Sequence, residues 1–171
     1  MRVVVVGGGS WGSAFTLLLR DRGHQVTLAC RDPGQAAAIA ATGRNPRYVR
    51  DADLRGVTAC ALADAPYETA ELVVLAVPSG AYAGVAASLP GAAPVLSLTK
   101  GLDPATGDRL STLITGRQVA VLSGPNIAEE IVHGLPAAAV VASEDRALAG
   151  RLQQAVNSSA FRVYVNEDLV G

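Results

Sequence analysis

Residues 3–19 read VVVVGGGSWGSAFTLLL, and this junction constrains the chain more than any other stretch. Four consecutive valines form a β-branched run, the pattern of a strand buried on both faces of a parallel sheet. Three glycines then strip away the side chains, and Phe15, Leu18, Leu19 and Arg22 follow at helical spacing. Gly7-Gly8-Gly9-Ser10-Trp11-Gly12 satisfies G-x-G-x-x-G. Glycine-rich turns are common, so the pattern is weak alone. Here it leaves a buried strand, opens a helix, and precedes a second strand ending about 18 residues later, the context a dinucleotide fold requires. Gly7 permits a tight turn, Gly9 lets the backbone approach a pyrophosphate, and Gly12 lets the helix pack on the strand. Ser10 and Trp11 open the helix, whose N-terminus offers unpaired N–H groups and about half a positive charge. The stretch is suited to holding the diphosphate of a dinucleotide.

The remaining sequence supports one domain of that kind. Of the 171 residues 50% are hydrophobic and 17% charged, and the mean hydropathy is +0.30, which fits a globular chain with a sizeable core. Alanine, valine and leucine dominate over the 4% of aromatic residues, as in Val-rich strands covered by Ala/Leu helices. A formal net charge of −1 argues against nucleic acid or an anionic membrane as partner. Strand-like runs fall at Arg2–Val6, Gln25–Cys30, Val57–Cys60, Leu72–Val77, Val95–Leu98, Val119–Leu122, Ala137–Ala142 and Phe161–Val165. Helical stretches alternate with them: Ser10–Arg22, one opened by the cap pair Asp32-Pro33 and closed by Gly43, and Asp145–Val156. The alternation predicts an α/β fold, a doubly wound, mostly parallel sheet (Rossmann-like) with helices on both faces. The last strands are free to join antiparallel. Residues 1–171 read as a single dinucleotide-binding domain.

Met1-Arg2 runs straight into the first strand, so no signal peptide is expected. No apolar run approaches the ~20 residues of a membrane span, and a soluble, cytoplasmic protein is expected. Cys30 and Cys60 match neither a disulfide framework nor a metal motif and read as small buried or half-buried thiols. No metal cluster is visible. Residues 166–171, NEDLVG, read as a cap and the first turn of another helix, an ending that looks cut.

The end of the second strand selects the nucleotide. NAD folds place an acid there for the ribose 2′-hydroxyl, and NADP folds an arginine for the 2′-phosphate. This strand ends Ala29-Cys30-Arg31-Asp32. Arg31 offers a donor fork suited to a phosphate, and Asp32 is explained more simply as a helix cap. NADP is favoured, with NAD also admissible.

These residues resemble the amino-terminal half of the bacterial-type NAD(P)-dependent glycerol-3-phosphate dehydrogenases. The likeness rests on GGGSWGSA, LACRDP, RNPRY (44–48), LAVPS (75–79), LTKG (98–101), VAVLSGPNIAEEI (119–131) and FRVYVNEDLVG (161–171), in the family's order. It implies hydride transfer between a nicotinamide cofactor and the pair glycerol 3-phosphate and dihydroxyacetone phosphate, supplying glycerol 3-phosphate for phospholipid synthesis. Gly7, Gly9, Ser10, Trp11, Gly12, Arg31, Tyr48, Pro78, Lys100 and Ala128 are then the cofactor residues. Lys100, Gly124 and Asn126 are those for substrate. Asn126 stands where the family has Ser or Thr, and it keeps a donor and an acceptor.

The residues themselves are consistent with those roles. Pro78-Ser79 follows the fourth strand, either restricting the backbone beside the nicotinamide or making a plain turn with Ser79 as N-cap. Lys100, at the carboxyl end of the next strand, could place a point charge on a substrate phosphate or hydroxyl. Alone it reads as a solvated loop lysine. Gly124 in Ser123-Gly124-Pro125-Asn126 would open the backbone to substrate, with a helix N-terminus following from Ile127 to favour an anion. His24 reads as an exposed turn residue, His133 as a cation closing a helix, and Glu129 and Glu130 as a solvated face.

No residue in view is a credible proton donor to a carbonyl, and hydride transfer to or from a carbinol needs one. The resemblance implies that a lysine from a following helical domain of the same enzyme supplies it, beyond Gly171, so no catalytic residue is assigned within the chain. It also admits a homodimer. The alternative is a free-standing, non-catalytic NADP-binding module. An apolar face waiting for a second domain would favour the dehydrogenase half, and a polar face the module.

Overall fold

A computed structural model describes residues 1–169. The valine run forms β1 (Arg2–Val6), with Val3 to Val6 all buried. It lies between β2 (Gln25–Cys30) and β4 (Leu72–Leu75), and β3 (Thr58–Ala61) closes that edge. On the other side follow β5 (Val95–Ser97), β6 (Val119–Ser123), β7 (Ala137–Ala142) and β8 (Phe161–Asn166), in the order β3-β2-β1-β4-β5-β6-β7-β8. Pairing is parallel from β3 through β6. β7 enters antiparallel to β6, and β8 runs parallel to β7.

Boundaries shift by a residue or two where local chemistry decides them. The first helix, α1, spans Ser10–Asp21 with Arg22 as its C-cap rather than inside it. α2 (Pro33–Thr42) starts as expected: Asp32 accepts from the Gly34 N–H at 2.8 Å, and Gly43 ends it at φ +66°. β4 stops at Leu75, two residues short of the expected Val77, because Ala76 and Val77 turn away into the loop before α3 (Ser79–Ala87). Pro78, not Ser79, is the N-cap of α3. α4 is a five-residue helix, Ala128–Val132, and α5 spans Arg146–Val156 with Asp145 outside it as the cap for the Leu148 N–H. Short 3₁₀ turns at Leu62–Asp64, Tyr67–Thr69 and Leu110–Leu113 carry no periodic signal in the sequence. At the carboxyl end Asn166 accepts from the N–H groups of Glu167 and Asp168 as a cap would, but residues 167–169 are not helical, and residues 170–171 of the expected turn lie outside the described residues.

The two faces of the sheet are covered unequally. One packs α1, α2, α4 and α5 over Val3, Val5, Leu28, Val74, Leu96, Leu122 and Phe161. The other carries α3 and the 3₁₀ turns over Val4, Val6, Val73, Leu75 and Val95. That second layer stops short of β7 and β8. Ala138, Val140, Arg162 and Tyr164 share the bare face there, and Tyr164 is 61% exposed.

Candidate functional site

Strand order reverses between β1 and β4, and in open α/β sheets ligands settle outside the carboxyl ends of the strands at such a point. A cavity opens there, walled by Gly7, Gly8 and Gly9 from the end of β1, by Arg31 and Asp32 from β2, and by Ala76, Val77 and Pro78 after β4. Gln35, Arg47, Tyr48, Leu62, Ala81 and Val85 complete it.

The glycines differ in what they make room for. Gly7 has φ +117°, and an added Cβ would stand 2.4 Å from the Ala76 carbonyl oxygen. At Gly12 it would stand 1.9 Å from the Gly7 carbonyl oxygen, so the first turn of α1 rests directly on the loop. At Gly9 an added Cβ meets nothing within 4 Å. Gly9 thus presents bare backbone to the open cavity, while its neighbours serve packing. Gly8, unassigned from sequence, belongs with those neighbours, since a Cβ there would press on Cys30 Sγ at 2.7 Å. Ser10 opens α1, whose N-terminus no side chain caps. Trp11 is half-buried, edge-on to Phe15 with ring centroids 5.8 Å apart, so its ring packs on the core and only its backbone is offered to the loop.

A buried polar network holds this loop. Asn45, 1% exposed, donates through Nδ2 to the Gly8 carbonyl (3.0 Å) and to Ser13 Oγ (2.9 Å). Its Oδ1 accepts from the N–H groups of Arg47 and Tyr48 and from Gln35 Nε2, which also donates to the Gly8 carbonyl at 2.6 Å. Sequence reasoning missed Gln35, Asn45 and Arg47. The available signal was RNPRY, where a small amide before proline suits a turn that answers its own backbone.

At the outer end, Arg31 is exposed and forms no hydrogen bond or ion pair among the described residues. Asp32 keeps its capping role and pairs through Oδ2 with the Arg47 guanidinium at 2.6 Å. The Gly34 N–H first, and Arg47 further, hold the Asp32 carboxyl below the usual carboxylate range. Beneath the loop, burial pushes the Cys30 thiol up to about 11, with Cys60 and Asp32 adding to the shift. Cys30 is buried and Cys60 half-buried, as their composition suggested.

The substrate candidates lie elsewhere on the same rim. Lys100 is exposed and donates from Nζ to the Gly124 carbonyl at 2.7 Å. Gly124 is also required by packing: a Cβ there would stand 2.6 Å from the Ala138 carbonyl oxygen of β7. Asn126 donates from Nδ2 to that same carbonyl at 2.8 Å, and its buried Oδ1 has no partner among the described residues. Ala128 is buried in the core beside α1 and does not wall the cavity. α4 starts at Ala128 with Ile127 as its cap, and five residues are too short for the anion-favouring dipole expected there. His24 is half-buried rather than exposed, with Nε2 3.0 Å from the Ala155 carbonyl and Nδ1 3.3 Å from the amino terminus. His133 closes α4 as expected, while Glu129 and Glu130 are exposed.

A glycine turn under a capless helix at the switch point of a parallel sheet places the chain in the Rossmann-like class of α/β domains. The residues present fit a dinucleotide, because Gly9, the one glycine of the motif with open space above bare backbone, is where a pyrophosphate would need it. The chain belongs to the family described as the NAD-dependent glycerol-3-phosphate dehydrogenase N-terminus, whose model matches residues 2–149. It is 44% identical to a glycerol-3-phosphate dehydrogenase (NAD(P)+) of Nocardia farcinica, over 99% of this chain and 55% of that protein. It is 41% identical to the enzyme of that name from Moorella thermoacetica, over 99% and 53%. The crystal structure of glycerol-3-phosphate dehydrogenase from Coxiella burnetii superposes with a TM-score of 0.89 at 26% identity, covering 98% of this chain and 54% of that one. The chain thus spans about half the length of the curated relatives it matches.

Proposed function

We propose that the chain is the cofactor-binding half of an oxidoreductase interconverting sn-glycerol 3-phosphate and dihydroxyacetone phosphate, with NADP as the preferred cofactor and NAD admissible. The observation that carries the reading is the switch-point cavity, in which Gly9 alone among the motif glycines faces open space. Gly9 and the capless N-terminus of α1 hold the diphosphate, Arg31 faces the adenosine 2′-phosphate, and Tyr48 flanks that end. Pro78 shapes the wall after β4. A bound nicotinamide supplies or accepts the hydride.

Lys100 grips substrate in this reading, with the Asn126 amide beside it. The proton must come from elsewhere. The relatives are about twice as long as this chain, which supports a general acid/base carried by a further, helical domain of the same enzyme, as the family resemblance implies. Residues 1–171 form the nucleotide domain in that arrangement. The bare face at Val140 and Tyr164 supports it over a free-standing module, because such apolar faces are usually covered. The work is cytoplasmic, where both phosphates and nucleotide are at hand, and no described helix is long and apolar enough to cross a membrane.

Titration of NADPH into the wild type and Gly9→Val tests the cavity. The valine would fill the space above Gly9, so at least a hundredfold loss of affinity is expected with an unchanged melting temperature. Equal affinity in a folded Gly9→Val protein would remove the diphosphate from this loop.

A further inference from the structure

Arg47 differs from Arg31 in being held twice. Its N–H donates to the buried Asn45 Oδ1 at 3.0 Å, and its guanidinium meets Asp32 Oδ2 at 2.6 Å. Asn45 in turn grips the Gly8 carbonyl, so the loop carrying Arg47 and Tyr48 is tied to the glycine turn itself. Two residues on, Val49 is buried at φ +40°, a conformation a β-branched residue adopts only when its surroundings impose it. Arg47 is thus presented to the cavity mouth by a fixed frame.

The charges at that mouth are Arg31, Asp32 and Arg47. A carboxylate after the second strand ordinarily accepts the ribose 2′-hydroxyl of NAD and repels the 2′-phosphate of NADP. Here both Asp32 oxygens are engaged, one by the Gly34 N–H and one by Arg47, and the rim keeps a net single positive charge. We infer that Arg47 is a second determinant of coenzyme selectivity: its ion pair with Asp32 withdraws the carboxylate from the ribose and leaves the rim cationic for a 2′-phosphate. The inference rests on the nucleotide reading of the cavity. Loss of Arg47 acts twice, removing one cation and freeing one carboxylate, so the two coenzymes should respond in opposite senses.

The test is titration of NADPH and of NADH into the wild type, Arg47→Ala, and the double variant Arg47→Ala/Asp32→Asn. Arg47 is largely exposed, and Asn caps a helix as well as Asp does, so these variants keep the fold. Arg47→Ala should weaken NADPH about tenfold to a hundredfold, the range for a lost charge-assisted contact, while NADH binding holds or tightens. Asn at position 32 in that background should recover part of the NADPH affinity without helping NADH. Equal weakening of both nucleotides, or no change in either, would overturn the role of Arg47 and leave the cavity reading intact. A wild type that binds neither nucleotide would overturn the cavity reading, and this inference with it.

Discussion

The two ends of the strand rim are built differently. Beside β1 and β2, the glycine turn is fixed from below by Asn45 and Gln35, every polar atom of the Asn45 side chain has a partner, and open space is left only above Gly9. Beside β6 and β7, Lys100 and Asn126 spend their donors on the carbonyls of Gly124 and Ala138, Asn126 Oδ1 is buried without a partner among the described residues, and the neighbouring sheet face is bare. The first end is finished before any ligand arrives. The second has its two polar side chains turned onto backbone carbonyls, beside the bare sheet face. On the proposed reading, the first end binds on its own and the second is completed by a further domain.

The contrast can be broken by substitution. Gly12→Ala should cost about 3–5 kcal/mol in a denaturant titration, because its Cβ overlaps the Gly7 carbonyl and backbone must move, whereas Gly9→Ala should stay within about 1 kcal/mol. Phe161 and Tyr164 sharpen the same point within one strand. Phe161 is 1% exposed beneath the helices, and Tyr164 lies on the bare face. Phe161→Ala should lose about 3–5 kcal/mol and Tyr164→Ala no more than about 0.5 kcal/mol. Equal losses would mean that the face is covered within this chain.

The asparagines give a smaller difference. Asn45→Ala takes the side-chain partner from two backbone donors and from the buried Ser13 hydroxyl, leaves the Gly8 carbonyl to Gln35 alone, and should cost about 2–3 kcal/mol, with NADPH affinity falling alongside. Asn126→Ala gives up one bond but also removes a buried orphan acceptor, so about 1 kcal/mol or less is expected.

Beneath the loop, Cys30 carries a pH dependence confined to alkaline conditions. An unfolded thiol releases its proton near 9.0, and the folded one near about 11. Between those values the unfolded chain binds fewer protons, so stability falls as pH rises from about 9 to about 11. Cys30→Ala should flatten that slope. At pH 8 a thiol reagent should label half-exposed Cys60 and leave Cys30 untouched until unfolding.

Sequence made the first end legible because its signals are local. A β-branched run, a glycine triplet and a cap pair each act within a few residues, and β1, α1, β2 and the start of α2 lie where they imply. The parallel winding followed from alternation, but the antiparallel entry of β7 did not, since pairing direction depends on how the chain returns across the sheet. RNPRY marked a turn, but which backbone Asn45 and Arg47 would serve did not show, because their partners, Gly8 and Asp32, are distant in sequence. The packing demand on Gly124 was hidden for a related reason: the backbone that requires a glycine there, Ala138, arrives from another strand. His24 looked like turn surface until α5 supplied the Ala155 carbonyl.

The central claim is that nucleotide binding is complete in these residues and catalysis is not. The most direct test is to titrate NADPH into the 171-residue chain, then follow NADPH oxidation with dihydroxyacetone phosphate in the same sample. The account predicts saturable binding with turnover below detection, because a missing general acid/base alone costs about 10²–10⁴-fold and half a cleft orients substrate poorly. Ready oxidation by this chain alone would contradict it, and would make Lys100 the residue to test as the proton donor.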